Sequence, residues 1–311
     1  MNRKISIGVD VGGSHISSVA YESDERKILS HTFSESKVDN KESADEIIST
    51  WAKVIAQTID KVGPCQLSGI GFAMPGPFDY VNGIALFQQM TNKYENLYGV
   101  HVGLEISKAL GFSDNVPVRF INDAAAFAIG ESTAGGAVGF NRCLAITLGT
   151  GFGSSFILNH VPVVSGDTVP LGGMVYHLPF EKGVADDYFS TRGLLNRYFE
   201  KTGVRLSGVK ELAEKAYDDT SAKCIFNDFG IKLGIFLQPW IKKFDVEAFV
   251  IGGNIAKAYH YFGDSMTNVF KYCGQNLTIQ LSVLNETASM IGAAQLSDDD
   301  YYNSIKSILN S

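Results

Sequence analysis

The sequence predicts an α/β chain folded as two related domains with a cleft between them. Three observations carry this reading. Two segments look alike: Ile5 to Ser14, followed by the alternating run Ile16 to Tyr21, and Leu144 to Gly153, followed by Ser154 to Leu158. Each reads as a strand, a glycine turn with hydroxyls, and a second strand. Elsewhere, apolar runs of strand length alternate with stretches at helical spacing. The 311 residues are also enough for two domains of ordinary size. Small residues at such turns let backbone amides and hydroxyls approach a phosphate closely. Two turns, with Asp10 in the first, suggest a nucleotide held between the domains.

The elements follow in order. A β block covers Lys4 to Phe33. Ser43 and Glu46 form a candidate capping box for the next helix. Its apolar residues Ile47, Trp51, Val54, Ile55, Ile59 and Val62 recur at helical spacing, and Gly63-Pro64 stops it. Gln66 to Ala73 reads as a buried strand, ending in the loop Met74-Pro75-Gly76-Pro77-Phe78-Asp79. Val116 to Ile121 is a short strand with Asn122-Asp123 at its exit, where Asp123 would cap the helix Ala124 to Glu131. Cys143 to Gly166 lacks Asp, Glu, Lys and Arg, and reads as buried sheet. Its glycines, prolines and hydroxyls argue against a membrane span. The chain beyond is mostly helical. Ala248 to Ile251 is a late strand, Gly252-Gly253 opens the helix after it, and Asp298 to Leu309 forms a terminal helix. The expected domains are residues 1–121, with the terminal helix 298–311 packing back, and 122–297.

Composition is that of an ordinary globular enzyme, 45% hydrophobic and 19% charged. A formal charge of −7 argues against a general nucleic-acid binder, which needs basic surface. Cys65, Cys143, Cys224 and Cys273 are scattered, with neither metal-type spacing nor a disulfide framework, which fits a reducing cytoplasm. The N-terminus reaches Asp10 too soon for a signal peptide.

The order of these segments resembles the ROK family of sugar kinases and sugar-responsive repressors. That family shares the actin-like ATPase (ribonuclease H-like) fold with hexokinases. The similarity spans nearly the whole chain. Asp10-Val11-Gly12-Gly13-Ser14 resembles the first phosphate motif. Met74-Pro75-Gly76-Pro77 resembles the Pro-Gly loop, and Thr91-Asn92 the sugar-contacting Asn. Phe120 to Glu131 resembles the catalytic segment. Leu148 to Gly153 resembles the second phosphate motif, and Val250 to Gly253 the adenosine motif. Each alone is weak; six in the right order carry the assignment.

The resemblance implies roles. Asp123 would take the proton of a primary sugar hydroxyl, although by local sequence alone it reads first as a helix cap. Asn122 would bond sugar hydroxyls, with Pro75, Gly76 and Asn92 in the same sugar site. Asp10 would hold Mg2+ through water. Gly12, Gly13 and Ser14, with Gly149, Thr150 and Gly151, would contact the phosphates of ATP. Gly252 and Gly253 would admit adenine and ribose. In isolation, each glycine pair reads as an ordinary turn or helix entry. Family members are commonly homodimers, which is the expected assembly.

Departures from the family pattern matter equally. Most ROK kinases carry Glu-x-Gly-His, with Glu and His on the sugar, and then a zinc-binding cysteine cluster. Here the stretch is Gly172-Gly173-Met174-Val175-Tyr176-His177. His177 is kept as a sugar contact, Met174 replaces Glu, and Tyr176 replaces Gly and would crowd the site. Leu178 to Asp187 contains no cysteine, so no structural zinc is expected. Asp186 falls where the family places another sugar-binding Glu, one methylene longer. A thioether hardly accepts hydrogen bonds. A buried sugar hydroxyl that lost a charged partner there would cost about 1.5–3 kcal/mol.

Three functions are consistent with the sequence. The first is an ATP-dependent kinase for a hexose or amino sugar. The second is a sugar or nucleotide sensor without turnover, favoured by Met174 and Tyr176. The third is a repressor, which in this family carries a helix-turn-helix ahead of the first phosphate motif. Only nine residues precede Asp10, which argues against the third.

Overall fold

The computed structural model describes residues 3–87, 94–112 and 116–310. In chain order it begins with β1 (Lys4–Val11), β2 (His15–Glu22), β3 (Lys27–Lys37), α1 (Ala44–Val62) and β4 (Gln66–Met74). A small hairpin of β5 (Phe78–Asp79) and β6 (Ile84–Ala85) follows, then α2 (Val102–Ala109), β7 (Val118–Asn122) and α3 (Asp123–Ala134). Next come β8 (Arg142–Leu148), β9 (Phe152–Leu158), β10 (Val161–Val163), and the two-residue strands β11 (Pro179–Phe180) and β12 (Gly183–Val184). Helices α4 (Ala185–Phe189), α5 (Thr191–Thr202), α6 (Val209–Lys215) and α7 (Thr220–Phe244) precede β13 (Ala248–Gly252), α8 (Tyr259–Tyr272) and β14 (Thr278–Leu281). The chain closes with α9 (Glu286–Ala294) and α10 (Asp299–Ile305).

These elements form two compact units, 1–134 with 286–311, and 135–285. The breaks fall at 134 and 286, where the sequence suggested 121 and 297. The reason lies in α3 and α9. A methyl at Gly130 of α3 would overlap the Ala288 carbonyl of α9, and one at Gly292 of α9 would overlap the Ala126 carbonyl of α3. Both helices would share a unit under either division, but α9 also sets its Met290 and Ala293 carbonyls against Gly8 of β1 and Gly71 of β4, and so brings α3 with it into the first unit.

The first unit has a five-stranded sheet ordered β3-β2-β1-β4-β7. The β1–β2 and β2–β3 pairs are antiparallel, and β1–β4 and β4–β7 are parallel. Ser43 and Glu46 form the expected capping box of α1, and Gly63 ends it at φ 74°. Trp51 of α1 is fully buried, edge-on to Tyr94 at 5.3 Å, while Phe72 and Phe120 stack at 5.1 Å. Strand β7 starts two residues later than expected. Proline has no amide to donate, so Pro117 enters the ladder only through its carbonyl, which accepts from Ile70 N at 2.9 Å. Gly8 and Gly71 stand opposite each other in the β1–β4 register. A methyl on either would overlap a backbone carbonyl of α9, that of Met290 or Ala293. After α9, Asp298 caps α10 by accepting from Tyr301 N. Arg119 of β7 bonds the Leu296 carbonyl and the Asp299 carboxylate, tying the chain end to the sheet.

The second unit repeats the same plan. Its sheet is ordered β10-β9-β8-β13-β14, with two antiparallel pairs on one side of β8 and two parallel pairs on the other. The coarse repeat of two glycine hairpins is therefore a repeat of whole sheets. The charge-free stretch from Cys143 forms β8, β9 and β10, mostly buried as expected. A 3-10 turn, Asn254–Ala258, separates Gly253 from α8, so the glycine pair opens a turn and not the helix itself. Among the described residues, no helix is long and apolar enough to cross a membrane.

Candidate active site

In the first unit, the parallel strands bring their carboxyl ends together, where open α/β sheets place ligands. Asp10 lies next to the end of β1, opposite Ala73 of β4, and Met74 pairs with Asn122 of β7. The Pro-Gly loop therefore leaves the sheet beside Asn122 and Asp123. Pro75 is buried and Gly76 exposed, and the Gly76–Pro77 bond is cis. Tyr80, which sequence reasoning missed, joins the two: its hydroxyl donates to the Met74 carbonyl at 3.2 Å and accepts from Asn122 Nδ2 at 3.3 Å. Asn92 lies outside the described residues.

The expected capping role passes from Asp123 to its neighbour. Asn122 Oδ1 accepts from Ala124 N at 3.0 Å and Ala125 N at 3.3 Å, so Asn122 caps α3. Asp123 is the first helical residue, and its Oδ1 accepts from Ala124 N at 2.8 Å. Its carboxylate sits in the first turn of the helix.

A third carboxylate that the sequence did not single out joins Asp10 and Asp123. Glu286 opens α9, and the fold returns it to the end of β1. Burial first, then the charges of Asp123 and Glu286, push the Asp10 carboxyl up to about 8 from an ordinary 3.8. Between those values unfolding releases a proton. Stability of the ligand-free chain therefore falls as pH rises through that window and levels off above about 8. Asp10→Asn is expected to raise the ligand-free stability by about 1–3 kcal/mol at the top of the window. It should also flatten the pH slope in thermal melts; an unchanged slope would show that Asp10 ionises normally.

The first glycine turn, Gly12 to Ser14, joins β1 to β2. Its carbonyls accept from Tyr94 Oη at 2.7 Å, Asn40 Nδ2 at 2.7 Å and Val38 N at 2.9 Å, respectively. Gly12 N donates to the His15 carbonyl at 3.0 Å. In the second unit, Gly149, Thr150 and Gly151 join β8 to β9. Gly149 N donates to the Gly151 carbonyl at 3.0 Å, and the Gly149 carbonyl accepts from Thr191 N, in the first turn of α5, at 2.8 Å. Gly252 pairs with Thr147 beside this turn. Gly253, at φ 87°, packs so tightly that a methyl would overlap the backbone of Leu148.

The residues read as sugar contacts in the second unit have other partners as well. Asp186 Oδ1 accepts from Phe152 N at 2.8 Å, and Oδ2 from Arg192 Nη2 at 3.1 Å. The carboxylate thus braces the second glycine turn. Met174 is half-buried in a turn hung on Ser154 Oγ, which bonds the Gly173 carbonyl and Val175 N. Tyr176 and His177 are exposed, their rings edge-on at 5.1 Å.

The segment after His177 is held by side chains of ordinary chemistry. Phe180 packs on Tyr188, Phe189 and Phe236 at 5.1–5.4 Å. Lys232 pairs with Glu181 at 3.0 Å, and Asp187 Oδ2 accepts from Val184 N at 3.1 Å. Among the described residues, no group of three or more His, Cys, Asp or Glu could hold a metal ion by geometry alone. Prolonged chelation is expected to leave the melting temperature of the ligand-free chain unchanged. A drop of several degrees, reversed by zinc, would overturn that.

The fold and this arrangement define a two-unit member of the actin-like ATPase fold. The model of the ROK family matches residues 6–300, and the chain belongs to that family. It is 26% identical to the glucokinase of Thermotoga maritima, over 93% of this chain and 96% of that protein. It is 23% identical to the xylose repressor of Bacillus subtilis, over 96% of this chain and 78% of that protein. A ROK family glucokinase from Streptomyces griseus, solved in complex with glucose and AMPPNP, shares the fold with a TM-score of 0.72. There the identity is 22%, over 94% of this chain and 98% of that one.

Proposed function

We propose that this chain is an ATP-dependent kinase that transfers the γ-phosphoryl group to a primary hydroxyl of a hexose or amino sugar. The observation that carries the proposal is the pairing at the exit of β7. Asn122, which caps α3, and the Asp123 carboxylate, which accepts from Ala124 N, leave the sheet together beside the Pro-Gly loop, and Asp123 is grouped there with the carboxylates of Asp10 and Glu286. Similarity to a glucokinase along nearly the whole chain supports the same reading.

In the proposed reaction, the Asp123 carboxylate accepts the hydroxyl proton as the sugar oxygen attacks the γ-phosphorus. The bond from that phosphorus to the bridging oxygen breaks, and ADP leaves with the electron pair. Amides of both glycine turns, other than those of Gly12 and Gly149 that donate within their own hairpins, would face the phosphates, and Gly252 and Gly253 would admit the nucleoside. Among the described residues, the carboxylates around Asp10 form no metal-ligand cluster of their own, but a divalent cation brought by the phosphates would favour the ionised form of the buried Asp10. Mg2+ would be held there by Asp10 and would neutralise charge on the phosphates when bound. The sugar side would be built from the Pro75-Gly76 loop, Asn92, Asn122 and His177. Asp186 would reach a sugar only by sharing a carboxylate already bonded to Phe152 N and Arg192. A homodimer is the proposed assembly, and sedimentation checks it.

A sensor that binds sugar or nucleotide without turnover is the second reading. The thioether of Met174 and the ring of Tyr176, in place of Glu and Gly, favour it. The similarity to a xylose repressor is compatible with it. A coupled ADP-release assay with Mg-ATP separates the two. The sugar panel should hold glucose, mannose, fructose, allose, N-acetylglucosamine and N-acetylmannosamine. Release stimulated by one sugar supports the kinase. Silence across the panel, with binding still visible by thermal shift, supports the sensor.

A further inference from the structure

The first glycine turn is held in a way its sequence does not announce. A trans peptide is planar, so its carbonyl and the amide that follows point in opposite directions. Fixing the Gly12 carbonyl therefore fixes the Gly13 amide, and fixing the Gly13 carbonyl fixes the Ser14 amide. Tyr94 Oη does the first at 2.7 Å, and Asn40 Nδ2 does the second at 2.7 Å. Among the described residues, the Gly13 and Ser14 amides themselves carry no hydrogen bond. Two glycines in succession would otherwise let these peptides rotate freely.

We infer that Tyr94 and Asn40 are positioning residues for the phosphate chain of the nucleotide, aiming the Gly13 and Ser14 amides by holding the carbonyls behind them. This rests on the nucleotide-binding reading of the turn proposed above. The two residues come from elements other than the hairpin they hold. Tyr94 is fully buried, edge-on to Trp51 at 5.3 Å and tilted against Phe87 at 6.0 Å, so the core delivers its hydroxyl at a fixed place. Burial pushes the Tyr94 phenol well above its ordinary range, which keeps it a donor at any working pH. Asn40 reaches the turn from the loop between β3 and α1. Neither residue touches the phosphate in this scheme. Both reduce the freedom of the groups that do.

The test is calorimetric titration of Mg-AMPPNP and of adenosine into the whole chain, its Tyr94→Phe variant and its Asn40→Ala variant. Each variant removes one of the two carbonyl ties and leaves the turn sequence intact. Each is expected to weaken AMPPNP binding about fivefold to tenfold, the loss that one net hydrogen bond carries. Adenosine binding is expected to stay within twofold, because adenosine has no phosphate for the amides to meet. A purely structural defect would weaken both ligands alike, and that result overturns the inference. Unchanged AMPPNP affinity in both variants also overturns it. If Tyr94→Phe does not fold, the same comparison in Asn40→Ala decides the matter. Absence of AMPPNP binding to the unaltered chain defeats the kinase reading itself, and this inference with it.

Discussion

Asp123→Asn is expected to lower sugar phosphorylation about 100- to 10,000-fold, the usual contribution of a positioned general base. Binding of nucleotide and sugar should change little. The reason is local. The capping bonds of α3 belong to Asn122, so the substitution does not uncap the helix. The amide that replaces the carboxylate still offers an oxygen to Ala124 N. What disappears is the proposed base. Coupled ADP release measures the turnover, and calorimetry with Mg-AMPPNP measures the binding. Near-normal turnover would remove Asp123 from the base role. Asn122→Ala should behave differently. It removes the cap and a proposed sugar contact together, so stability and affinity should both fall.

Gly71→Ala is expected to have the largest effect on stability, a loss of about 3–5 kcal/mol or failure to fold. A methyl at this position would occupy the space of the Ala293 carbonyl. The obstacle is backbone, and it cannot turn aside as a side chain would. Its register partner Gly8 faces the Met290 carbonyl in the same way, so Gly8→Ala should cost a similar amount. Chemical denaturation reads both. A loss under about 1 kcal/mol would mean that α9 can lift off the sheet at little cost. Gly63→Ala is a useful contrast, because a methyl there meets nothing within 4 Å. Its penalty is limited to the strain of φ 74°.

Much of this architecture could be read from residue order. The capping box at Ser43 and Glu46, the stop at Gly63 and the buried sheet from Cys143 all follow from local rules, and local rules suffice for such features. The two glycine hairpins also announced the repeat, because each needs small residues at the same place in its strand pair. Other features were hidden for physical reasons. The unit boundaries differ because α9 lies against Gly8 and Gly71 of the first sheet and carries α3 with it, and contacts between backbones leave no hydrophobic stripe to find. Glu286 was missed because its meaning comes from Asp10, and only the fold brings the two charges together. Tyr80, Tyr94 and Asn40 look like ordinary turn or core residues until their hydroxyl or amide is seen on a particular carbonyl. The exchange of roles between Asn122 and Asp123 shows a finer limit. Both are good capping residues, and sequence alone does not say which one the helix uses.

The placement of α9 also bears on how the protein is made. Gly8 and Gly71 form a pit in the first sheet that α9 fills, and α9 emerges after every residue of the second unit. The second unit is continuous, from 135 to 285, so a ribosome delivers all of it before the first unit has its missing helix. The half that begins first is therefore the half that finishes last. Nascent chains halted just before Glu286 should show a protease-sensitive first unit beside a resistant second one, and equal resistance of both would contradict this order.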